Sequence, residues 1–347
     1  MDKFDIRSAT LDELCDFVES LGEKRYRGQQ VFEWINQKFV ENFDEMTNLP
    51  AAFREKLMIH TVFFAPKIVE KQISKDNSTK KFLFELQNYG IMDSVQVEAV
   101  LMAYRHGFSV CLSTQAGCRM GCDFCASGAH GLVRNLTAGE IAAQIYKISH
   151  SEGIGISNVV LMGMGEPLDN FDNVVKFIRL VNHAKGLNLG QRNITLSTCG
   201  LVPRIFDIIR ENLQIGLAIS LHAPNDQIRR RLMPIARKYS LDELLAACRE
   251  YVRGGRRITF EYIMIDGVND SAGNARELCK KLAGINCHIN LIPANNIPEK
   301  GYTKSKPRAI AIFSNILENS GFTVTLRREL GSDISAACGQ LRNSNRA

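Results

Sequence analysis

The chain has 347 residues, 45% hydrophobic and 23% charged, the balance of an ordinary soluble globular protein with room for one large domain and a small one. No run approaches the roughly 18 uninterrupted apolar residues of a membrane span. Residues 1–7 lack the apolar region of a secretory signal, so the ten cysteines are expected in a reducing, cytoplasmic setting, as ligands or redox groups rather than staples. The net charge of +6 is uneven: residues 1–100 hold 13 Lys and Arg against 17 Asp and Glu, and the remainder, at +10, carries basic clusters at Arg229-Arg230-Arg231, Arg237-Lys238 and Arg253 with Arg256-Arg257, then Lys304, Lys306, Arg308, Arg327 and Arg328, a pattern that suits a polyanion such as RNA.

In chain order, residues 11–21, 27–39 and 50–57 carry helical periodicity and predict a compact helical module over 1–60. A β-rich connector follows over 61–108, with strand-like alternation at 81–86 and 94–102 around the turn signal Asn88-Tyr89-Gly90. Over 109–330, apolar strand candidates at 109–115, 158–164, 193–198, 215–221, 258–265 and 288–292 alternate with amphipathic helices at 137–152, 170–186, 202–212, 241–253, 270–284 and 306–321. Six strand–helix units imply a parallel sheet with helices outside, satisfied either by a doubly wound open sheet or by a barrel. A last strand at 323–328 extends an edge, and 331–347 form a C-terminal segment.

The chemistry starts at Cys118, Cys122 and Cys125, with the spacing Cys-x3-Cys-x2-Cys. Three thiolates on one short loop can hold three irons of a [4Fe-4S] cluster and leave the fourth open, whereas a closed cluster or a structural zinc site takes four protein ligands. His130 could complete a Cys3His zinc set instead. The loop leaves the C-terminal end of the first strand, the rim where chemistry collects in βα barrels, which favours the barrel. Later rims add glycines and a carboxylate at Gly165 and Glu166, hydroxyls at Ser197 and Ser220, and the run Ser220-Leu221-His222. Asn295 follows the sixth strand.

The cluster-loop spacing, with Phe124 before its last cysteine, resembles the radical S-adenosylmethionine (SAM) superfamily, and Gly165-Glu166 resembles its Gly-Gly-Glu motif. Further matches are Tyr26-Arg-Gly-Gln-Gln30, Trp34, Glu98, Cys111, Arg134-Asn-Leu136, Ser220-Leu-His-Ala-Pro-Asn225 and the near-terminal run around Cys338 in Asp333-Ile-Ser-Ala-Ala-Cys338-Gly-Gln-Leu341. Over nearly its whole length the chain closely resembles the RlmN family, adenine-C2 methyltransferases of ribosomal and transfer RNA. That resemblance implies an incomplete TIM-like (β/α)6 radical SAM barrel with a small N-terminal helical domain for RNA binding. It implies one [4Fe-4S] cluster on Cys118, Cys122 and Cys125, and SAM contacts at Gly165, Glu166, Ser197, Ser220, Leu221, His222 and Asn295. The run Ala294-Asn295-Asn296 departs from the family, which has an aromatic and then Asn-Pro here.

The resemblance also implies a chemical route. C2 of adenine is electron-poor and cannot attack the electrophilic methyl of SAM, so Cys338 takes the methyl from one SAM. A 5′-deoxyadenosyl radical from a second SAM removes hydrogen from that methyl, and the carbon radical adds to C2. Glu98 then removes the C2 proton as general base, and Cys111 attacks the sulfur of Cys338, releasing the product through a transient disulfide. The implied partners are 23S rRNA and tRNA, with flavodoxin or ferredoxin as electron donor and a monomeric enzyme. Two alternatives stand beside this one: a C8-methylating relative that shares the cysteines, and a zinc-stabilised RNA-binding protein without catalysis.

Overall fold

The computed structural model describes residues 3–87, 94–295, 301–328, 330–337 and 339–341; the turn signal Asn88-Tyr89-Gly90 and the cysteine at 338 lie outside them. The N-terminal module comprises β1 (Phe4–Asp5), α1 (Leu11–Ser20), α2 (Tyr26–Asn36), α3 (Ala51–His60) and β2 (Thr61–Val62), with β1 and β2 paired in parallel. α1 opens on a capping box in which the Thr10 hydroxyl accepts from the Glu13 N–H and the Glu13 carboxylate accepts from the Thr10 N–H, satisfying two donors that the first helical turn leaves unpaired. The module is joined to the rest by buried polar contacts as well as by a continuous apolar core: Tyr146 donates to Asn36 Oδ1 at 2.7 Å, and the Gly139 N–H donates to Ser8 Oγ at 2.8 Å.

The connector supplies three antiparallel strands, β3 (Lys67–Ile73), β4 (Thr79–Leu86) and β5 (Val95–Tyr104), and β6 (Gly107–Cys111) returns beside β5. β7 (Gln115–Gly117) and β8 (Leu132–Asn135) make a separate small pair that flanks the cluster loop. The units that follow are α4 (Ala138–Glu152), β9 (Ile156–Leu161), α5 (Phe171–Asn182), β10 (Ile194–Thr198), α6 (Val202–Arg210), β11 (Gly216–Ser220), α7 (Asp226–Leu232), α8 (Leu241–Val252), β12 (Ile258–Met264), α9 (Ala272–Leu282), β13 (Cys287–Pro293), α10 (Pro307–Asn319) and β14 (Thr323–Leu326). All belong to one ten-stranded sheet ordered β14-β13-β12-β11-β10-β9-β6-β5-β4-β3, apart from the helices and the pairs already named.

From β6 to β14 the neighbours run parallel, so the expected six strands and a seventh at the edge are all present. The sheet keeps two free ends, β14 and β3, as an incomplete barrel requires. Among the described residues no helix is long and apolar enough to cross a membrane.

The structure corrects the expected first strand, 109–115. Leu112 still donates to Val160 O, but Thr114 and Gln115 both donate to Met164 O, beyond the end of β9, so the chain has already left the ladder. Cys111, expected near the start of that strand, therefore closes it. β3, β8 and α7 carry no clear apolar period and were absent from the sequence expectation; β3 is an edge strand with most of its residues exposed.

Candidate functional site

The C-terminal ends of the parallel strands open on a cavity lined by Cys118, Cys122, Cys125, Glu166, Ser197 and His222 among others. Gly165 and Ser220 also face it. The cluster loop reaches this cavity by leaving β7 and folding over the segment after β11: the Asp123 N–H donates to Leu232 O at 2.9 Å, and Met120, Cys122 and Phe124 pack against a patch that includes Leu232 and Met233.

Burial pushes the Cys118 thiol up to about 12, against a hydrogen bond from the Met120 backbone. Burial also drives the Cys122 thiol well above its ordinary value, with the neighbouring Cys125 and Cys118 adding to the effect. Thiols that resist ionisation when crowded together are stabilised as thiolates by a cationic metal centre. A structural zinc site takes four protein ligands, whereas three thiolates suffice for a [4Fe-4S] cluster that keeps one iron open. The donor set therefore fits a three-cysteine [4Fe-4S] cluster, and His130, exposed and outside this cavity, does not complete a zinc site.

Glu166 is buried and fixed at both oxygens: Oε1 accepts from the Leu168 N–H at 3.0 Å and Oε2 from the Cys199 N–H at 2.7 Å. Burial raises its pKa while the Cys199 and Thr198 hydrogen bonds oppose the shift. Gly165, at φ +106°, permits this turn; a Cβ there would lie 2.6 Å from the Gln115 Cβ. His222 has φ +60°, and its Nδ1 accepts from the Ile263 N–H at 3.1 Å, which leaves the ring proton on Nε2. Burial, reinforced by the charge of Arg229, lowers its pKa to about 3, so the ring is neutral. Its edge meets the Phe124 ring with centroids 4.7 Å apart, joining the cluster loop to the end of β11.

The other expected site residues fall into three groups. Leu221 is fully buried in the core and turns no side chain to the cavity, and Asn295 lines a neighbouring cleft instead. Glu98 and Cys111 are not on the cavity wall either, but they share a sheet face: Lys81, Val100, Cys111 and Val160 are successive partners across β4, β5, β6 and β9, and Glu98 lies two residues from Val100. Val160 in turn pairs with Thr195 of β10, and Ser197, two residues further along that strand, lines the cavity, so the face is the barrel interior. Glu98 is buried and forms an ion pair with Lys81 Nζ at 3.0 Å. Cys338 lies outside the described residues.

Sequence reasoning missed Glu261 and counted Arg327 only among the basic residues that suit a polyanion; both line the cavity. Glu261 accepts from Asn290 Nδ2 at 3.0 Å and lies 3.9 Å from Arg327 Nη1; burial raises its pKa, opposed first by Arg327 and then by Asn290. A lone carboxylate inside the apolar strand Ile258–Met264 was the signal that could have found it. Arg229, read as part of a surface cluster, is fully buried and donates to Cys199 O at 2.7 Å, so it is unavailable for phosphate contact; Arg230 and Arg231 are exposed.

Residues 112–279 match the radical SAM superfamily, and residues 4–62 match the N-terminal domain of ribosomal RNA large subunit methyltransferases. The chain is 53% identical over 340 residues to a probable dual-specificity RNA methyltransferase RlmN of Clostridium novyi, covering 98% of each chain. It is 50% identical over 346 residues to the protein of the same name from Alkaliphilus oremlandii, covering 99% of each. The crystal structure of a radical SAM methyltransferase from Sphaerobacter thermophilus superposes with a TM-score of 0.92 at 43% identity, covering 97% of this chain and 99% of that one.

Proposed function

The chain belongs to the RlmN family of radical SAM RNA methyltransferases, and from that premise we propose that it methylates C2 of adenine in 23S rRNA and in tRNA by way of a methyl carried on Cys338. The observation that carries the reading is the cavity in which the three loop cysteines meet Glu166 and Ser197 at one barrel rim. Cys118, Cys122 and Cys125 hold the cluster in this reading, and Glu166, Ser197, Ser220 and His222 surround SAM. Bound together, cluster and SAM supply a 5′-deoxyadenosyl radical.

The chain's own groups do the rest. Cys338 accepts the methyl and forms the carbon link to C2. Glu98 takes the C2 proton, its carboxylate held by the 3.0 Å pair with Lys81. The single electron left on the adduct once C2 has lost its proton returns to the electron-transfer route that began the reaction; Cys111 then attacks the Cys338 sulfur as a thiolate, the sulfur–sulfur bond forms as the sulfur–carbon bond to the RNA breaks, and the released carbon keeps the bonding pair and takes a proton to become the methyl group. The common face of Glu98 and Cys111 supports assigning them to consecutive steps. Leu221 contributes through its backbone at most, since its side chain is in the core, and Asn295 is assigned to the RNA side rather than to SAM. The helical module at 1–60 gives RNA a second hold. A cytoplasmic monomer reduced by a small flavin or iron–sulfur carrier completes the proposal.

The test is anaerobic reconstitution with iron, sulfide, SAM, a reductant and defined rRNA and tRNA fragments, followed by nucleoside mass analysis. The expected product is 2-methyladenosine. 8-Methyladenosine would replace this reading with the C8 activity, and iron-free protein that binds RNA without altering it would replace it with a non-catalytic role.

A further inference from the structure

A second space opens beside the thiol-lined cavity, between the ends of β13 and β14 and the turns that join β3 to β4 and β5 to β6. Ile292 and Arg327 line both spaces and so form the wall between them. The described neighbours of position 338 divide in the same way: Ala337 lines the cleft and Gly339 lines the cavity.

The cleft combines exposed apolar faces with cationic side chains. At the β5–β6 turn the Tyr104 and His106 rings stack, with centroids 5.2 Å apart and planes 15° apart. Tyr104 remains 39% exposed, and Leu326 on the facing wall is 50% exposed. Exposed guanidinium groups at Arg105 and Arg328 flank these apolar faces. Aromatic faces interleaved with guanidinium groups match an unpaired nucleic-acid strand, whose bases stack on rings while its phosphates take the cations. A base inside a duplex cannot present C2 to a buried reaction centre; it must first leave the stack, and a side cleft joined to the cavity gives the displaced strand a place to lie.

We propose that this cleft receives the unpaired RNA strand beside the target adenine, with Tyr104 and His106 stacking a flanking base, Arg105 and Arg328 holding phosphates, and Arg327 standing where the adenine passes into the cavity. The inference rests on the reading of the chain as an RNA methyltransferase. It assigns specific contacts that the barrel rim itself does not supply, because the thiols, Glu166 and His222 are taken up by the cluster and SAM.

The experiment is steady-state methylation of an RNA stem-loop by the reconstituted enzyme, read beside SAM cleavage without RNA. Tyr104→Ala with His106→Ala should raise KM for the RNA by roughly tenfold or more, the loss expected for one stacked base. Iron content and 5′-deoxyadenosine formation without RNA should match wild type, which excludes a folding defect. Tyr104→Phe keeps the ring face and should keep the wild-type KM. Arg105→Gln with Arg328→Gln should lower the log–log salt slope of RNA binding by about 0.7 per lost contact. A wild-type KM in the Tyr104/His106 double variant would overturn the cleft assignment while the methylation reading stands. Wild-type enzyme that cleaves SAM but methylates no RNA would overturn both.

Discussion

The backbone N–H of Ala126, next to the last cysteine of the cluster loop, donates to the carbonyl oxygen of Gly339 at 2.8 Å. Ser127 Oγ adds a buried bond to Leu341 O at 2.7 Å. The loop that would hold the cluster and the segment that follows Cys338 are thus one hydrogen-bonded unit, even though more than 200 residues separate them in sequence.

Breaking that unit should uncouple radical generation from methylation. Gly339 has φ +80°, and a Cβ there would lie 3.0 Å from Phe124 O, so Gly339→Ala strains the backbone and pushes the segment off the loop. Ser127→Ala removes the second bond at a cost of about 1 kcal/mol. Both variants should form 5′-deoxyadenosine while making several times less methylated RNA per molecule cleaved. An unchanged ratio in both would show that the docking does not position the methyl carrier.

Replacing Cys118, Cys122 or Cys125 by Ala should abolish both iron binding at the expected stoichiometry and reductive SAM cleavage, since two thiolates do not hold a cluster with one open iron in place. Iron analysis and visible absorption check the first effect, and chromatography of 5′-deoxyadenosine the second. Retained cleavage in the triple Ala variant would remove the cluster from these residues.

Glu98 and Lys81 make a buried pair whose disruption carries two separable consequences. Glu98→Gln leaves a buried ammonium without its counter-charge, which costs stability, and it also removes the general base. Product formation should fall about 100-fold or more. Adding Lys81→Met removes the stranded charge and should restore the melting temperature without restoring activity. Recovery of activity in the double variant would make the pair purely structural.

Much of this site was legible because its signals are short-range. Cys118, Cys122 and Cys125 fall within eight residues, and the strand–helix alternation repeats often enough to show the parallel sheet through its period. What escaped depends on rotation and on distance along the chain. Arg229, Arg230 and Arg231 look alike as a charge run, but successive residues of a helix turn by about 100°, and α7 directs Arg229 into the core while its neighbours meet solvent. Arg327 reaches Glu261 only because β12, β13 and β14 lie side by side, a relation that no local pattern encodes. The end of the first strand was set by the hydrogen bonds of Thr114 and Gln115 to Met164, equally remote from the residues that made 109–115 look extended.

The buried position of Arg229 separates it experimentally from its neighbours. Arg230→Gln with Arg231→Gln should leave the melting temperature nearly unchanged and, if this face meets RNA, lower the log–log salt slope by about 0.7 per contact on single-stranded segments. Arg229→Ala should instead destabilise the fold by about 2–4 kcal/mol, through the cavity left and the carbonyl of Cys199 stripped of its donor. Denaturant unfolding and filter binding at several salt concentrations measure the two effects. A fully stable Arg229→Ala protein with a reduced slope would return this arginine to the surface.

Cys111 gives the most direct test of the proposed route, because the alternative is an ordinary strand residue packed against the core. It closes β6 on the barrel-interior face, opposite Val100 and beside Val160. Methylation of Cys338 and addition of its carbon to the RNA need no second thiol, so Cys111→Ala should complete both and stop before release. The variant should then accumulate RNA covalently attached at Cys338, seen on a denaturing gel as a species of greatly increased mass that nuclease removes. Cys111→Ala combined with Cys338→Ala should show no such species, since no thiol remains to carry the methyl. Normal turnover by Cys111→Ala without trapped RNA would return Cys111 to the core and require another group to break the bond between the protein and its product.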